Sequence, residues 1–254
     1  MSKGQSKQLN LNLPTSAMQK LLRLCYIIPL IIILSCGNDK NKNTTVEETA
    51  TQQTQPSQLV EASENNTGTI LCFGDSITAG YGLEDSNDAF PAVLQEKIDS
   101  LNLNYTVINS GLSGETTAGG KSRIDWTLNQ DIDIFLLELG ANDGLRGVPL
   151  SETRTNLQAI INTVEKKSPS TKIILAGMQL PPNMGQEYTT EFRELYVQIA
   201  EANNLTFIPF ILKDVAGIAA LNQSDGIHPT VQGHQIVAQT VWEVLEPILK
   251  EVHN

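Results

Sequence analysis

Ile70-Leu71-Cys72-Phe73-Gly74-Asp75-Ser76-Ile77-Thr78 passes from a short apolar run into a tight polar turn. The first four residues read as a buried strand. Beyond the turn the chain is small and glycine-rich (Ala79-Gly80-Tyr81-Gly82) and then takes up a helical pattern. A serine on a turn leaving a strand projects its hydroxyl above the carboxyl end of a sheet, which makes Ser76 a candidate nucleophile. Serine at a helix start also serves as a plain cap. The turn by itself does not separate these two roles.

The same alternation recurs downstream. Phe90, Val93, Leu94, Ile98 and Leu101 fall at helical spacing, with Asn87 or Asp88 available as a cap. Tyr105-Thr106-Val107-Ile108 is a second strand, followed by Asn109-Ser110-Gly111-Leu112-Ser113-Gly114. A helix is expected from Thr116 towards Leu128, then a third strand over Asp133–Leu139 and the loop Gly140-Ala141-Asn142-Asp143-Gly144. Ser151 is positioned to cap a helix that buries Leu157, Ile160, Ile161 and Val164. Lys172–Ala176 is a fourth strand, Phe192, Leu195 and Ile199 mark a further helix, and Thr206–Ile208 is a short fifth strand. A last helix starts near Thr230 and buries Val237, Val241, Val244, Leu245 and Ile248. Short apolar strands separated by helices imply a parallel sheet covered on both faces. The expected fold is one doubly wound, flavodoxin-like α/β/α domain of three layers over residues 69–254, with a parallel sheet of about five strands. Ligands in such folds sit beyond the carboxyl ends of the strands.

The N-terminal part of the 254 residues is different material. Met18-Gln19-Lys20-Leu21-Leu22-Arg23 is basic, and Leu24–Leu34 is an apolar run interrupted by Pro29. That run is short for a membrane span and suits the core of an export signal. It ends in Leu34-Ser35-Cys36-Gly37, which resembles the bacterial lipobox; the likeness implies a signal over residues 1–36 and a lipid on Cys36. An uncleaved anchor helix is the other reading of this run. Because a complete signal starts at Met18, that residue is expected to be the true start. Residues 37–68 are rich in Asn, Thr, Gln, Glu and Ser with no apolar period. They are expected to be a disordered tether, with a coil dimension of roughly 30 Å.

Charge and cysteine fit this division. All 28 acidic residues lie beyond Cys36 but only 13 of the 17 basic ones do, because Lys3, Lys7, Lys20 and Arg23 precede it. A mature chain starting at Cys36 has a formal net charge of −15, which argues against nucleic acid as a partner and against unaided binding to an anionic bilayer. Of the three cysteines, Cys25 leaves with the signal and Cys36 takes lipid, so Cys72 remains as a small apolar core group.

Asp225-Gly226-Ile227-His228-Pro229 carries the second half of the chemistry. An acid three residues before a histidine in a loop can set carboxylate against imidazole and leave the other ring nitrogen for a serine proton. The same residues can also be a turn former and a loop histidine bonded to backbone. In order along the chain, Gly74-Asp75-Ser76, Gly114, Gly140-Ala141-Asn142-Asp143 and Asp225-Gly226-Ile227-His228-Pro229 resemble the SGNH (GDSL) hydrolase family. The likeness is nearest to the branch of bacterial thioesterase I, arylesterase and lysophospholipase, and it extends through Leu112–Thr116 and Gly140–Gly147. It implies a serine esterase in which Ser76 attacks an acyl carbonyl, His228 is base then acid, and Asp225 orients His228. It also implies an oxyanion hole from the backbone N–H groups of Ser76 and Gly114 and the side-chain amide of Asn142. Asp75 and Asp143 are expected to be structural acids; His234 and His253 stand apart from the block, and no metal or cofactor is implied.

Gly144–Pro149 and Gln179–Gly185 are expected to wall an acyl pocket, with Leu145, Leu180 and Met184 either touching an alkyl chain or serving ordinary loop packing. The partners expected are a small acyl ester or lysolipid and, through the lipid on Cys36, a membrane. The chain is expected to be a monomeric lipoprotein, on the outer membrane rather than the inner one. An exported enzyme seldom meets coenzyme A thioesters. Two alternatives remain: a carbohydrate O-acetyl esterase, which needs a small acyl pocket and a polar groove, and a non-catalytic tethered binding lipoprotein. The latter should have lost Ser76, Asn142 or His228, and all three are present.

Overall fold

The computed structural model describes residues 67–251. The expected signal, lipidation site and most of the tether, together with His253, lie outside them. Five strands, β1 (Gly68–Gly74), β2 (Tyr105–Gly111), β3 (Ile134–Glu138), β4 (Lys172–Ala176) and β5 (Thr206–Ile208), form one all-parallel sheet in the order β2-β1-β3-β4-β5. The helices are α1 (Ser76–Ala79), α2 (Phe90–Ser100), α3 (Thr117–Thr127), α4 (Ala141–Leu145), α5 (Leu150–Lys167), α6 (Gln186–Ala202) and α7 (Val231–Glu251). α2 packs with α7, while α3 packs with α5 and α5 with α6, so the sheet lies between two helical layers. Ile70, Phe73, Phe135, Leu136, Ile174, Phe192 and Leu245 are among the side chains that fill the core on its two faces.

The strand order explains where a ligand can sit. From β1 the chain moves outward to β2, then crosses back to place β3 on the other side of β1. The loops after β1 and β3 therefore part in opposite directions and leave a crevice at their carboxyl ends. In the register, Gly74 is level with Glu138 on one side and Gly111 on the other.

Four local expectations change. Asn87 and Asp88 do not cap α2; they belong to a 3-10 turn, Ser86–Asp88, whose cap is Asp85. α2 starts after Ala89 with no side-chain cap, and Pro91 in its first turn has no N–H to satisfy. Ser151 lies inside α5 and not ahead of it, because Pro149 (φ −53°) already holds the entry geometry. β2 continues from Ile108 to Gly111 because pairing with β1 persists through Ser110 and Gly111. At this edge of the sheet polar Asn109 and Ser110 are tolerated in the strand. Finally, the loop after β3 is a single helical turn, α4.

Candidate active site

At the end of β1 the nucleophile turn is built by neighbours of Ser76. Asp75 is the N-cap of α1: its Oδ1 accepts the Ile77 N–H at 3.0 Å. Gly80, left-handed at φ +74°, ends the helix after one turn. Because the cap is supplied by Asp75, the Ser76 hydroxyl is not consumed in capping and points to the crevice. Gly74 has to be glycine, since a Cβ there would fall on Thr78 Oγ1 and Glu138 Oε2.

Beneath this turn lies an acid that periodicity did not single out. Glu138 ends β3 fully buried; its Oε2 accepts from the Asp75 N–H (3.2 Å) and Thr78 Oγ1 (2.7 Å), and its Oε1 has no partner. Burial first, and the Asp75 charge second, push its carboxyl well above the usual range. Asp75 is itself raised to about 6 by burial, against the opposing effects of the Ile77 N–H, His228 and the Asn142 amide. Cys72, buried beside Glu138, is pushed up to about 12 and behaves as an inert apolar group. The signal for Glu138 was present in the sequence: it is the acid within the otherwise apolar run Ile134–Leu139.

The histidine arrives on the loop before α7. Asp225 Oδ1 accepts the backbone N–H groups of Ile227 (2.9 Å) and His228 (3.0 Å), which folds the four residues into a compact turn with Gly226 at φ +72°. Asp225 Oδ2 lies 2.6 Å from His228 Nδ1, and His228 Nε2 lies 2.9 Å from Ser76 Oγ. With its proton on Nδ1, the ring presents Nε2 to the serine hydroxyl as an acceptor. The His228 hydrogen bond and the two N–H groups hold the Asp225 carboxyl down at about 2. Two residues not foreseen from the sequence steady the arrangement. The Tyr81 ring covers His228 with centroids 4.7 Å apart. Gln223 Nε2 donates to the carbonyls of Tyr81 (2.7 Å) and Pro229 (2.9 Å), joining the nucleophile turn to the histidine loop.

Gly114 and Asn142 come from the loops after β2 and β3. Gly114 is left-handed (φ +79°), which favours glycine, and its carbonyl accepts from Arg146 Nη2 at 3.0 Å. Among the described residues neither the Ser76 N–H nor the Gly114 N–H has an acceptor. Asn142 Nδ2 donates to Asp75 Oδ2 and to the Glu115 carbonyl, both at 3.0 Å. The Glu115 carboxylate is clamped by Arg123, which also holds the Ser110 carbonyl and stacks 3.8 Å over Phe73. Asp143 accepts from Thr117 and Thr153 and ties α4 to α3 and α5, a structural acid as expected. Among the described residues His234 makes no hydrogen bond to Ser76 or Asp225: its Nδ1 accepts the Phe90 N–H at 3.3 Å, and burial holds it down at about 4.

Ser76, Asn142 and His228 open onto a cavity of about 530 Å³. Leu145 and Leu180 line it. Met184 does not; it packs against the core from the short 3-10 turn Pro182–Met184. Much of the apolar wall is contributed instead by Met178, Phe210, Leu212 and Ile227, from the loops after β4 and β5 and the histidine turn. Chemically, the assembly is a hydroxyl with an imidazole acceptor, a carboxylate behind the imidazole, and a set of neutral N–H donors beside an apolar recess. This is the equipment of acyl transfer.

A family model for the GDSL-like Lipase/Acylhydrolase family matches residues 72–236. The chain belongs to that family. Esterase TesA of Pseudomonas aeruginosa is 35% identical to it over 182 residues, covering 71% of this chain and 89% of the relative. Thioesterase 1/protease 1/lysophospholipase L1 of Escherichia coli K12 is 33% identical over 182 residues, covering 71% and 85%. Among solved structures, the psychrotrophic esterase EstA from Pseudoalteromonas sp., inhibited by monoethylphosphonate, superposes with a TM-score of 0.68 at 33% identity, over 72% of this chain and 99% of that one. This GDSL protein is accordingly a carboxylic ester hydrolase of the esterase, thioesterase and lysophospholipase type with the SGNH fold.

Proposed function

We propose that the chain is a serine esterase in which Ser76, His228 and Asp225 act as nucleophile, base and orienting acid. The unbroken hydrogen-bonded line from Asp225 through His228 to Ser76, ending at an apolar cavity, carries this reading. Ser76 Oγ adds to the acyl carbonyl carbon as its proton passes to His228 Nε2. The negative charge that develops on the carbonyl oxygen is received by the Ser76 and Gly114 N–H groups and the Asn142 amide. Collapse of the adduct breaks the ester bond, and the leaving alkoxide takes the proton from Nε2. Water then repeats the sequence on the acyl-serine, releasing the acid and restoring the hydroxyl.

The apolar wall of Leu145, Met178, Leu180, Phe210 and Leu212 suits an acyl chain, and this favours aliphatic esters and lysolipids over the polar groove that a carbohydrate O-acetyl esterase needs. The lipobox-like Leu34-Ser35-Cys36-Gly37 supports a tethered, exported lipoprotein, for which acyl esters outside the cytosol are the available substrates. The test is hydrolysis of p-nitrophenyl esters from acetate to palmitate beside lysophosphatidylcholine. Turnover that rises from acetate to a medium-chain optimum and includes the lysolipid is expected. Activity confined to acetyl esters would favour the deacetylase instead.

A further inference from the structure

The Asn142 amide has two hydrogens, and both are taken in the free protein, by Asp75 Oδ2 and the Glu115 carbonyl. To receive an oxyanion it must give one of them up. The two acceptors are unequal. The Glu115 oxygen is a neutral carbonyl, whereas Asp75 offers a buried carboxylate whose other oxygen is fixed by the Ile77 N–H. Charge-assisted bonds are roughly twice as strong as neutral ones. A carboxylate is also acceptor-only, so it dictates which end of the amide faces it. With Asp75 ionised, the NH₂ group of Asn142 is turned into the site and its Oδ1 away from it. A reversed amide would set an oxygen against the developing oxyanion.

Glu138 keeps that charge on Asp75. The Asp75 N–H donates to Glu138 Oε2, Glu138 has no cation beside it, and its Oε1 is buried without a partner. Two carboxyl groups in one dry site do not both ionise, and the deeper, less satisfied one holds its proton. The Ile77 N–H and the Asn142 amide, which both donate to Asp75, favour its ionised form.

We infer that Asp75 is a positioning residue for ester hydrolysis: its carboxylate holds one Asn142 amide hydrogen throughout turnover, while the second hydrogen passes from the Glu115 carbonyl to the acyl oxyanion. This rests on the serine-esterase reading above. It assigns Asp75 a role in the reaction beyond capping α1.

A double-mutant cycle on the full chain tests it, with kcat and KM measured on p-nitrophenyl butyrate. Asp75→Asn, whose amide can pair with Asn142 either way round, should lower kcat about tenfold or more with KM changed less than about twofold. In an Asn142→Ala background the same substitution should change kcat less than about twofold, because its effect runs through an amide no longer there. Asp75→Ser retains a cap for the Ile77 N–H but not the anion, and should lose kcat as Asp75→Asn does. Equal losses in both backgrounds, or a folded Asp75→Ser protein with full kcat, would overturn the inference and leave Asp75 as a cap only. A measurement on the wild-type protein needs no variant to fold: on forming a monoethylphosphonate adduct at Ser76, one of the two Asn142 Nδ2 proton resonances should move and the other stay. Movement of both would equally overturn it. Ser76→Ala, assayed alongside, distinguishes the two layers, since substantial turnover there would remove the serine-esterase reading itself.

Discussion

At residue scale the site depends on who does the capping. Because Asp75 takes the helix N-terminus, Ser76 keeps its hydroxyl for His228, and because Asp225 turns its own loop, His228 arrives with Nε2 forward. Ser76→Ala and His228→Ala should each remove nearly all turnover, and the double variant should be hardly slower than either, since the pair acts as a unit. Steady-state kcat of the three folded proteins checks this; independent, multiplying losses would separate the two residues. Asp225, depressed to about 2, gives a sign that can be worked out. Its contribution to the folded site is present above the ordinary carboxylate value of about 4 and is lost as pH falls from there through about 2. Asp225 therefore stays ionised, and does not itself titrate, between pH 5 and 9. Ser76, Gly114, Asn142, Asp225 and His228 could be singled out because their blocks, taken in order along the chain, resemble the SGNH hydrolases; the serine and histidine blocks alone leave a cap or a turn former as an equal reading. Tyr81 and Gln223 could not, and Glu138 stood out only as an acid in an apolar run, with no sign of its partners. What matters about them is contact across sixty or more residues, which no local pattern records.

At the scale of elements, α7 and α2 are joined by a buried histidine. His234 accepts the Phe90 N–H and is held down at about 4 by burial, the nearby His228 charge adding to the effect. A base whose folded value is depressed contributes fully above its unfolded value of about 6.5 and loses that contribution as pH falls from there through about 4. The loss is up to about 3 kcal/mol at 1.36 kcal/mol per pH unit. His234→Gln keeps an acceptor for Phe90 without titrating, so the stability gap between pH 7 and pH 4.5 should be smaller in this variant than in wild type. Urea midpoints at the two pH values measure it, and an unchanged gap would mean that His234 does not titrate on unfolding. Strand and helix identities followed from periodicity, because parallel strands buried on both faces must be apolar and the helices must show an apolar stripe. Boundaries moved where something non-local held them, as when β1 drew β2 out to Gly111.

For the whole molecule, the expected export signal and lipidation site lead to a prediction about where the enzyme works. Cys36→Ala should shift the mature protein from the membrane fraction to the soluble one, or leave it uncleaved, and metabolic labelling with a fatty acid should mark wild type alone. Equal labelling would rule out Cys36 as the lipid site. The sequence by itself determined the class of the fold and the order of its elements, since burial on two sheet faces demands particular residue types at particular places, and through its resemblance it supplied the residues of the proposed relay. Only the tertiary structure decided which acids lie under the nucleophile turn, which partners already occupy the Asn142 amide and which loops wall the cavity. Leu145 and Leu180 line it but Met184 does not, because the strand order brings the loops after β4 and β5 to the crevice while Met184 turns back against the core. Those choices rest on distances between segments far apart in the chain, and such distances exist only once the sheet has assembled.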